Sequence, residues 1–312
     1  MDEKLDIITL GEGLIELSSN VSLSTAESLD KYYGGDTLAA AVAARRLGSK
    51  VGYITRVGCD YFKDFLMDSW QAEGLDISQV KLTSDFNGLY LLARPTKGEK
   101  EFSYYRKKTA ASKLSIEDIS ENYIEKAKIL YTSGITQTLS LSAKEAVKKA
   151  YVIAKEKGLT TAYDPNYTPL LTTPEEAKEA FDEVINYIDI LFLSEKNDVS
   201  KLFEITSYEK VIKYFWDMGV NTIVIKSSQS GGYYTGYAGD IVFSKFTAVQ
   251  TVDTTCSGDA FNGGFLHAVS SGFSPFEATK LASIVSGLQA QKIGAIKSIP
   301  TKEEVYTEYE KI

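Results

Sequence analysis

Compact apolar runs alternate with longer amphipathic stretches along most of the chain. Residues 6–10, 50–57, 128–133, 160–164, 188–193 and 221–226 are short and apolar or β-branched, which predicts buried strands. Between them, residues 38–47, 61–73, 143–157, 208–218 and 274–291 show helical spacing. Gly48, Gly74 and Gly158 stand where the first three of these helices would stop. Strand and helix in alternation predict an α/β fold with a mainly parallel sheet covered by helices.

Two stretches are patterned differently. Residues 88–94 and 101–106 are extended and aromatic, and Pro95-Thr96-Lys97-Gly98 between them reads as a hairpin turn. A hairpin inside a βα series is an excursion from the main sheet. Residues 14–18 also continue in extended form, and residues 168–176 read as a surface turn into a helix. No internal repeat, low-complexity tract or linker is visible, so residues 1–312 are expected to form one domain.

The stretch 253–265 carries the most chemistry. It follows a β-branched run at 249–252, and Phe261, Phe265, Ala268 and Val269 share one helical face. A strand-to-helix turn is therefore expected, with the amides of Cys256, Ser257 and Gly258 uncovered at a helix N-terminus. Such amides lack intrahelical partners and sit at the positive end of the dipole, which suits an anion. Asp259 would lie in the first helical turn beside that anion. Amides that take phosphoryl charge, next to a carboxylate that takes a hydroxyl proton, are what phosphoryl transfer to an alcohol needs. The plainer alternative makes Asp259 a dipole partner of its own helix.

Composition narrows the classes. The net charge of −8 argues against nucleic-acid or anionic-membrane partners, which favour basic surfaces. The N-terminus has no apolar signal segment and no run approaches a membrane span, so a cytoplasmic protein is expected. Cys59 and Cys256 imply no disulfide framework. His267, the single histidine, is read as a structural helix residue, and no protein metal site is expected. Gly11-Glu12-Gly13 lacks the third glycine of a dinucleotide fingerprint, and no P-loop occurs. A nucleotide site would have to be built another way.

Asp253-Thr254-Thr255-Cys256-Ser257-Gly258-Asp259, followed by an aromatic residue and Gly263-Gly264, resembles the C-terminal signature of the PfkB/ribokinase family of sugar kinases. That signature usually reads Asp-Thr-x-Gly-Ala-Gly-Asp, so Cys256 and Ser257 replace its Gly-Ala pair. Gly34-Gly35-Asp36-Thr37-Leu38 resembles the family's N-terminal signature in the form found in 2-keto-3-deoxygluconate kinases, with Ala39 near the place of the usual Asn. Asp164-Pro165-Asn166-Tyr167-Thr168-Pro169 resembles the family's Asp-x-Asn-Tyr-Arg-Pro, with Thr168 in the arginine's place. Residues 226–232 resemble its loop near the ATP phosphates and ribose.

The resemblance implies a ribokinase-like α/β fold, a doubly wound, mostly parallel sheet with a small β-sheet lid from about residues 12–36 and 86–110. It implies ATP and Mg2+ as cofactors, with Asp259 as general base and the amides of Cys256, Ser257 and Gly258 as the anion hole. Gly34, Gly35, Tyr90, Tyr104, Arg106, Thr136 and Asp164 would then contact the sugar. Asn166, Lys226, Ser228, Gly231, Gly258 and Ser286 would contact ATP. An arginine fork and two tyrosines suit a sugar acid, and the resemblance to 2-keto-3-deoxygluconate kinases implies that compound, phosphorylated at its terminal hydroxyl to the 6-phosphate. Without the resemblance, the same aromatics read as cross-strand packing. A neutral sugar such as fructose or ribose is the alternative substrate, and a non-catalytic sugar-binding protein is the alternative class. Exposed lid edges imply pairing into a homodimer.

Overall fold

The computed structural model describes residues 4–95, 100–245 and 250–311. Its strands in chain order are β1 (Ile7–Leu10), β2 (Leu14–Ser19), β3 (Asp30–Gly34), β4 (Val51–Gly58), β5 (Val80–Thr83), β6 (Leu89–Ala93), β7 (Glu101–Tyr105), β8 (Ile129–Ser133), β9 (Thr160–Asp164), β10 (Ile190–Ser194), β11 (Thr222–Ser227), β12 (Gly232–Tyr237) and β13 (Asp240–Lys245). Nine of them form one sheet in the order β13-β12-β11-β10-β9-β8-β1-β4-β5. From β11 to β5 every pairing is parallel, while β12 and β13 add antiparallel at one edge. The chain runs outward in both directions from the β1–β8 pair. Such a reversal of strand order opens a crevice at the carboxyl ends of the strands, where ligands of open α/β sheets bind.

Strand alternation explains the two helical layers, because successive side chains point to opposite faces. Ile7, Ile190, Phe192 and Val224 pack with the helices Asp36–Leu47, Ser257–Ser270 and Pro275–Ala290. Ile8, Leu191, Leu193, Ile223 and Ile225 pack with Leu141–Glu156 and Tyr208–Asp217. The first layer is unusually close. A Cβ on Gly263 would stand 2.2 Å from the Ala40 carbonyl oxygen, and one on Gly264 would stand 2.9 Å from Val285 Cγ2. Alanine and glycine here let three helices approach backbone to backbone.

The second sheet has the order β3-β2-β6-β7 and is built from two excursions, one after β1 and one after β5. Its own core is small: Leu14, Tyr90 and Leu92, with Phe102 and Tyr104 against them. The expected aromatic hairpin is thus β6–β7. Residues 96–98 of its expected turn lie outside the described residues.

Several expectations change. Residues 250–252 are not a strand. Instead Val252 and Asp253 donate their amides to the Ala290 carbonyl at 2.7 and 3.0 Å, so the stretch hangs on a helix end rather than a sheet. Val249 lies outside the described residues. The expected loop at 226–232 is a tight turn between antiparallel β11 and β12, and Lys226 sits within β11 opposite Tyr233. His267 is a packing residue as expected, its Nδ1 2.7 Å from Ser49 Oγ and its Nε2 3.1 Å from the Tyr306 hydroxyl. Among the described residues no helix is long and apolar enough to cross a membrane.

Candidate active site

Two cavities open side by side at the carboxyl ends of the strands. The helices that point into them differ at their first residues from five others of the fold, though the helix Lys63–Ala72 is likewise uncapped. Helices starting at Leu141, Pro174, Tyr208, Pro275 and Lys302 each have a Ser or Thr side chain bonded to an N-terminal amide. Those starting at Asp36 and Ser257 have no side-chain cap. Their first-turn amides stay available for something else. Each also carries an aspartate in that turn, Asp36 and Asp259.

The first cavity, of about 430 Å³, lies under the second sheet and is lined by Gly35, Asp36, Arg106, Asn166, Cys256 and Asp259 among others. Asn166 Nδ2 stands 3.1 Å from Asp259 Oδ1 and 3.5 Å from Asp36 Oδ2, so one amide bridges both acids. Asp164 ends β9 just behind them and accepts from Lys226 Nζ at 2.5 Å and Asn262 Nδ2 at 2.6 Å. Burial, then the charge of Asp36, raises Asp259 to about 8; Asp164 adds to this, and Lys226 and Asn166 oppose it. Asp36 is likewise raised, by burial above all. Asp259 is therefore a much stronger base than an ordinary carboxylate.

The second cavity, of about 450 Å³, is lined by Lys226, Ser228, Gly231, Gly258 and Ser286, with Glu195 at its side. Glu195 accepts from Ser227 Oγ at 2.9 Å and the Gln229 amide at 3.1 Å, which fixes the β11–β12 turn. Gly231 adopts φ 66° with open space around its α-carbon. A Cβ on Gly258 would lie 3.6 Å from Lys226 Nζ, so the wall there is backbone and one ammonium group. Thr254 lines both cavities, and the turn it begins is their common wall.

The turn itself departs from expectation. The Ser257 amide donates to the Thr254 carbonyl at 3.2 Å, so it is not part of an anion hole in this conformation. The first-turn amides of Gly258 and Asp259 remain. Cys256 takes φ 63°, a left-handed conformation that favours glycine, so the residue at this place is set by backbone shape. Burial, then the charge of Asp259, pushes the Cys256 thiol up, so it is neutral.

Other expected residues are redistributed. Arg106 lines the first cavity, but its Nη2 already pairs with Glu12 Oε2 at 2.5 Å, and its buried Nε has no partner. Tyr90 faces the cavity with its ring, while its hydroxyl donates to the buried Glu16 carboxylate. Tyr104 stacks obliquely on Tyr90 at 5.8 Å. Gly34 touches Tyr90 rather than the cavity; a Cβ there would lie 2.3 Å from the Tyr90 hydroxyl. Gly35 does line the cavity, at φ 132°, with its α-carbon against the Glu12 carbonyl. Thr136 is fully buried beside Ser133, and Ile135 forms the wall instead. Asn166, expected on the nucleotide side, belongs to the first cavity because its left-handed backbone, at φ 47°, turns it back toward Asp259. Ala39 is buried in the core, and Thr168 lines the first cavity without charge.

Glu12, Glu16 and Asn262 are the residues that sequence reasoning missed. Asn262 could have been found, because it lies one helical turn after Asp259 on the same face. Glu16 reaches its place through the pairing of β2 with β6, and Glu12 lies just before β2, so no local spacing announces either. Among the described residues no group of three His, Cys, Asp or Glu side chains could hold a metal ion.

Comparison with known proteins agrees with this geometry. A model described as pfkB family carbohydrate kinase matches residues 4–302. The chain is 30% identical over 306 residues to the 2-dehydro-3-deoxygluconokinase of Thermoproteus tenax, covering 96% of this chain and 93% of that protein. It is 26% identical over 314 residues to the 5-dehydro-2-deoxygluconokinase of Clostridium beijerinckii, covering 97% and 92%. The crystal structure of a Ribokinase II from E. coli in complex with ATP and Mg2+ superposes with a TM-score of 0.90 at 25% identity, over 99% of this chain and all of that one. A carboxylate raised above its ordinary range lines the first cavity under the small second sheet, next to Gly258 of the second cavity. The chain belongs to the pfkB family of carbohydrate kinases.

Proposed function

We propose that this kinase phosphorylates the terminal hydroxyl of 2-dehydro-3-deoxygluconate, giving the 6-phosphate, with ATP and Mg2+. The observation that carries the reading is the place of Asp259: raised to about 8 and lining the first cavity directly after Gly258, which lines the second. The sugar acid occupies the cavity under the lid. There the unpartnered Nε of Arg106 offers a charged donor to its carboxylate, and Tyr104 offers a flat face. The nucleotide occupies the second cavity, where Lys226 and the turn through Ser228 and Gly231 fit a phosphate chain, as does the bare wall at Gly258.

ATP supplies the phosphoryl group, and Mg2+ bound to its phosphates neutralises part of their charge. That division suits this chain, since magnesium is commonly held by one or two carboxylates and substrate phosphates rather than by a protein cage. Asp259 Oδ takes the hydroxyl proton, and Asn166 orients the carboxylate. The Gly258 amide meets the developing phosphoryl charge at the helix N-terminus. The T. tenax relative supports the choice of substrate.

ADP release over a panel of 2-dehydro-3-deoxygluconate, 5-dehydro-2-deoxygluconate, fructose and ribose tests this directly. The first should give the highest kcat/KM. Preference for fructose or ribose would move the assignment to a neutral sugar, and sugar binding without ADP release would make the protein a non-catalytic binder. The outer strands β3 and β7 leave lid edges open. They support a homodimer paired through the lid, which sedimentation at micromolar concentration checks.

A further inference from the structure

Two cations carried by the lid reach the start of the catalytic turn. Arg94 directly follows β6, and its Nε donates to Asp253 Oδ2 at 2.6 Å while its Nη2 stands 3.3 Å from Glu16 Oε1. Lys100 directly precedes β7, and its Nζ donates to Asp253 Oδ1 at 2.6 Å and to Thr255 Oγ1 at 3.0 Å. Asp253 is only 1% exposed and Glu16 is fully buried. Among the described residues the other donors to Asp253 are neutral: the Thr255 amide at 3.0 Å, Thr255 Oγ1 at 2.6 Å and the Gly294 amide at 3.2 Å. Among the described residues, the cations paired with Asp253 are thus both borne by the lid. Three residues later the chain makes its left-handed turn at Cys256 and enters the helix of Asp259.

We infer that Arg94 and Lys100 are positioning residues. From the lid they clamp Asp253, and so hold residues 254–258 in the form that presents the Gly258 amide and Asp259 to the two cavities. A buried carboxylate stripped of its counter-charges is strongly disfavoured, so the lid and the turn must move together. Lifting the lid loosens the anion hole, and lowering it completes the hole. Gln289 adds a neutral contact to the same segment, its Nε2 donating to the Thr255 carbonyl at 2.7 Å. The inference rests on the phosphotransfer reading above, because it gives the clamp a reaction to serve.

The test compares wild type with Arg94→Met, Lys100→Met, the double variant and Arg94→Lys. A displaced catalytic turn can cost roughly 10²-fold, so the double variant should lose about that much kcat. Its KM for ATP should rise as well, since Thr254, Ser257 and Gly258 of the held segment line the nucleotide cavity. Arg94→Lys should recover most of the loss. Amide hydrogen exchange gives a second reading that does not need turnover: residues 254–258 should exchange faster in the double variant, with the helix Pro275–Ala290 unchanged. Should the double variant fold poorly, Lys100→Met alone, at a side chain 33% exposed, should show the same changes on a smaller scale. Unchanged exchange at 254–258 overturns the clamp whatever the turnover, as does full kcat in the double variant of an active enzyme. A wild type inactive on every sugar refutes the kinase substrate reading instead, and leaves the exchange measurement to decide the clamp.

Discussion

Asp253 and Asp259 bracket one turn, yet the two ends of that turn are electrostatic opposites. Burial alone would raise both. At Asp253 it is outweighed by hydrogen bonds from Lys100 and Thr255 and by the charge of Arg94, which hold the carboxylate at about 2. At Asp259 burial is reinforced by the charges of Asp36 and Asp164, and the result is about 8. Lys226, the nearby cation, is 2.5 Å from Asp164. What separates an anchor from a base here includes where the positive charges are spent, since burial pushes both acids upward and only Asp253 has cations enough to reverse it.

The largest effect should come from removing the basic end. Asp259→Asn should keep the fold and lose roughly 10²–10⁴-fold in kcat, the usual worth of a positioned general base. Near-normal turnover would dismiss Asp259 as the base. The same variant should be more heat-stable than wild type, by a margin that grows with pH. A folded-state value near 8, above the 3.8 of an ordinary aspartate, means the wild-type acid favours folding below about pH 4 and loses that advantage as pH rises to 8. Melting curves at pH 5 and pH 8 that differ by the same amount would contradict this.

At the anchored end the sign reverses. Asp253→Asn leaves Arg94 and Lys100 without their partner and should cost about 3–5 kcal/mol near neutral pH, seen as a fall in Tm. Because its folded value of about 2 lies below 3.8, the wild-type advantage should be full above about pH 4 and shrink as pH falls towards 2. A variant as stable as wild type at pH 7 would show that the clamp contributes nothing.

Asp36 tests whether the two acids are truly coupled. Its charge raises Asp259, so Asp36→Asn should move the acidic limb of kcat/KM from near pH 8 to lower pH. A limb that stays in place would separate the two groups. The smallest change is at Cys256. Glycine accepts φ 63° without strain, so Cys256→Gly should add about 1 kcal/mol of stability, measured by denaturant unfolding, and Cys256→Ala should add nothing.

Much of the fold was legible because its signal is local. The run at 160–164 matches β9 in full, and residues 38–47 lie within the helix Asp36–Leu47. β12 and β13 were missed: Gly232–Tyr237 is built mostly of glycine and tyrosine rather than aliphatic residues, and Asp240–Lys245 is largely exposed. In the site, the shared helical face of Phe261, Phe265, Ala268 and Val269 pointed to the turn into the helix Ser257–Ser270, but the expected strand fails over 250–252 because a β-branched run needs a neighbour to pair with. Arg106 was visible as a cation in an aromatic hairpin. Its pairing with Glu12 was not, since that depends on two excursions meeting in space. Charge partners brought together by tertiary structure leave no period in the sequence.

The contact of Gly263 with Ala40 has a further consequence. Asp259 lies one helical turn before Gly263, and Asp36 lies one turn before Ala40. The separation of the two carboxylates is therefore gauged by a dry backbone contact that includes no charged atom. Any side chain added at 263 would meet the Ala40 carbonyl and push the helices apart. The acids would part with them, and the proton affinity of the base would fall without a single polar group being altered. In this kinase a hydrogen atom in place of a methyl group serves as the calibration of its acid chemistry.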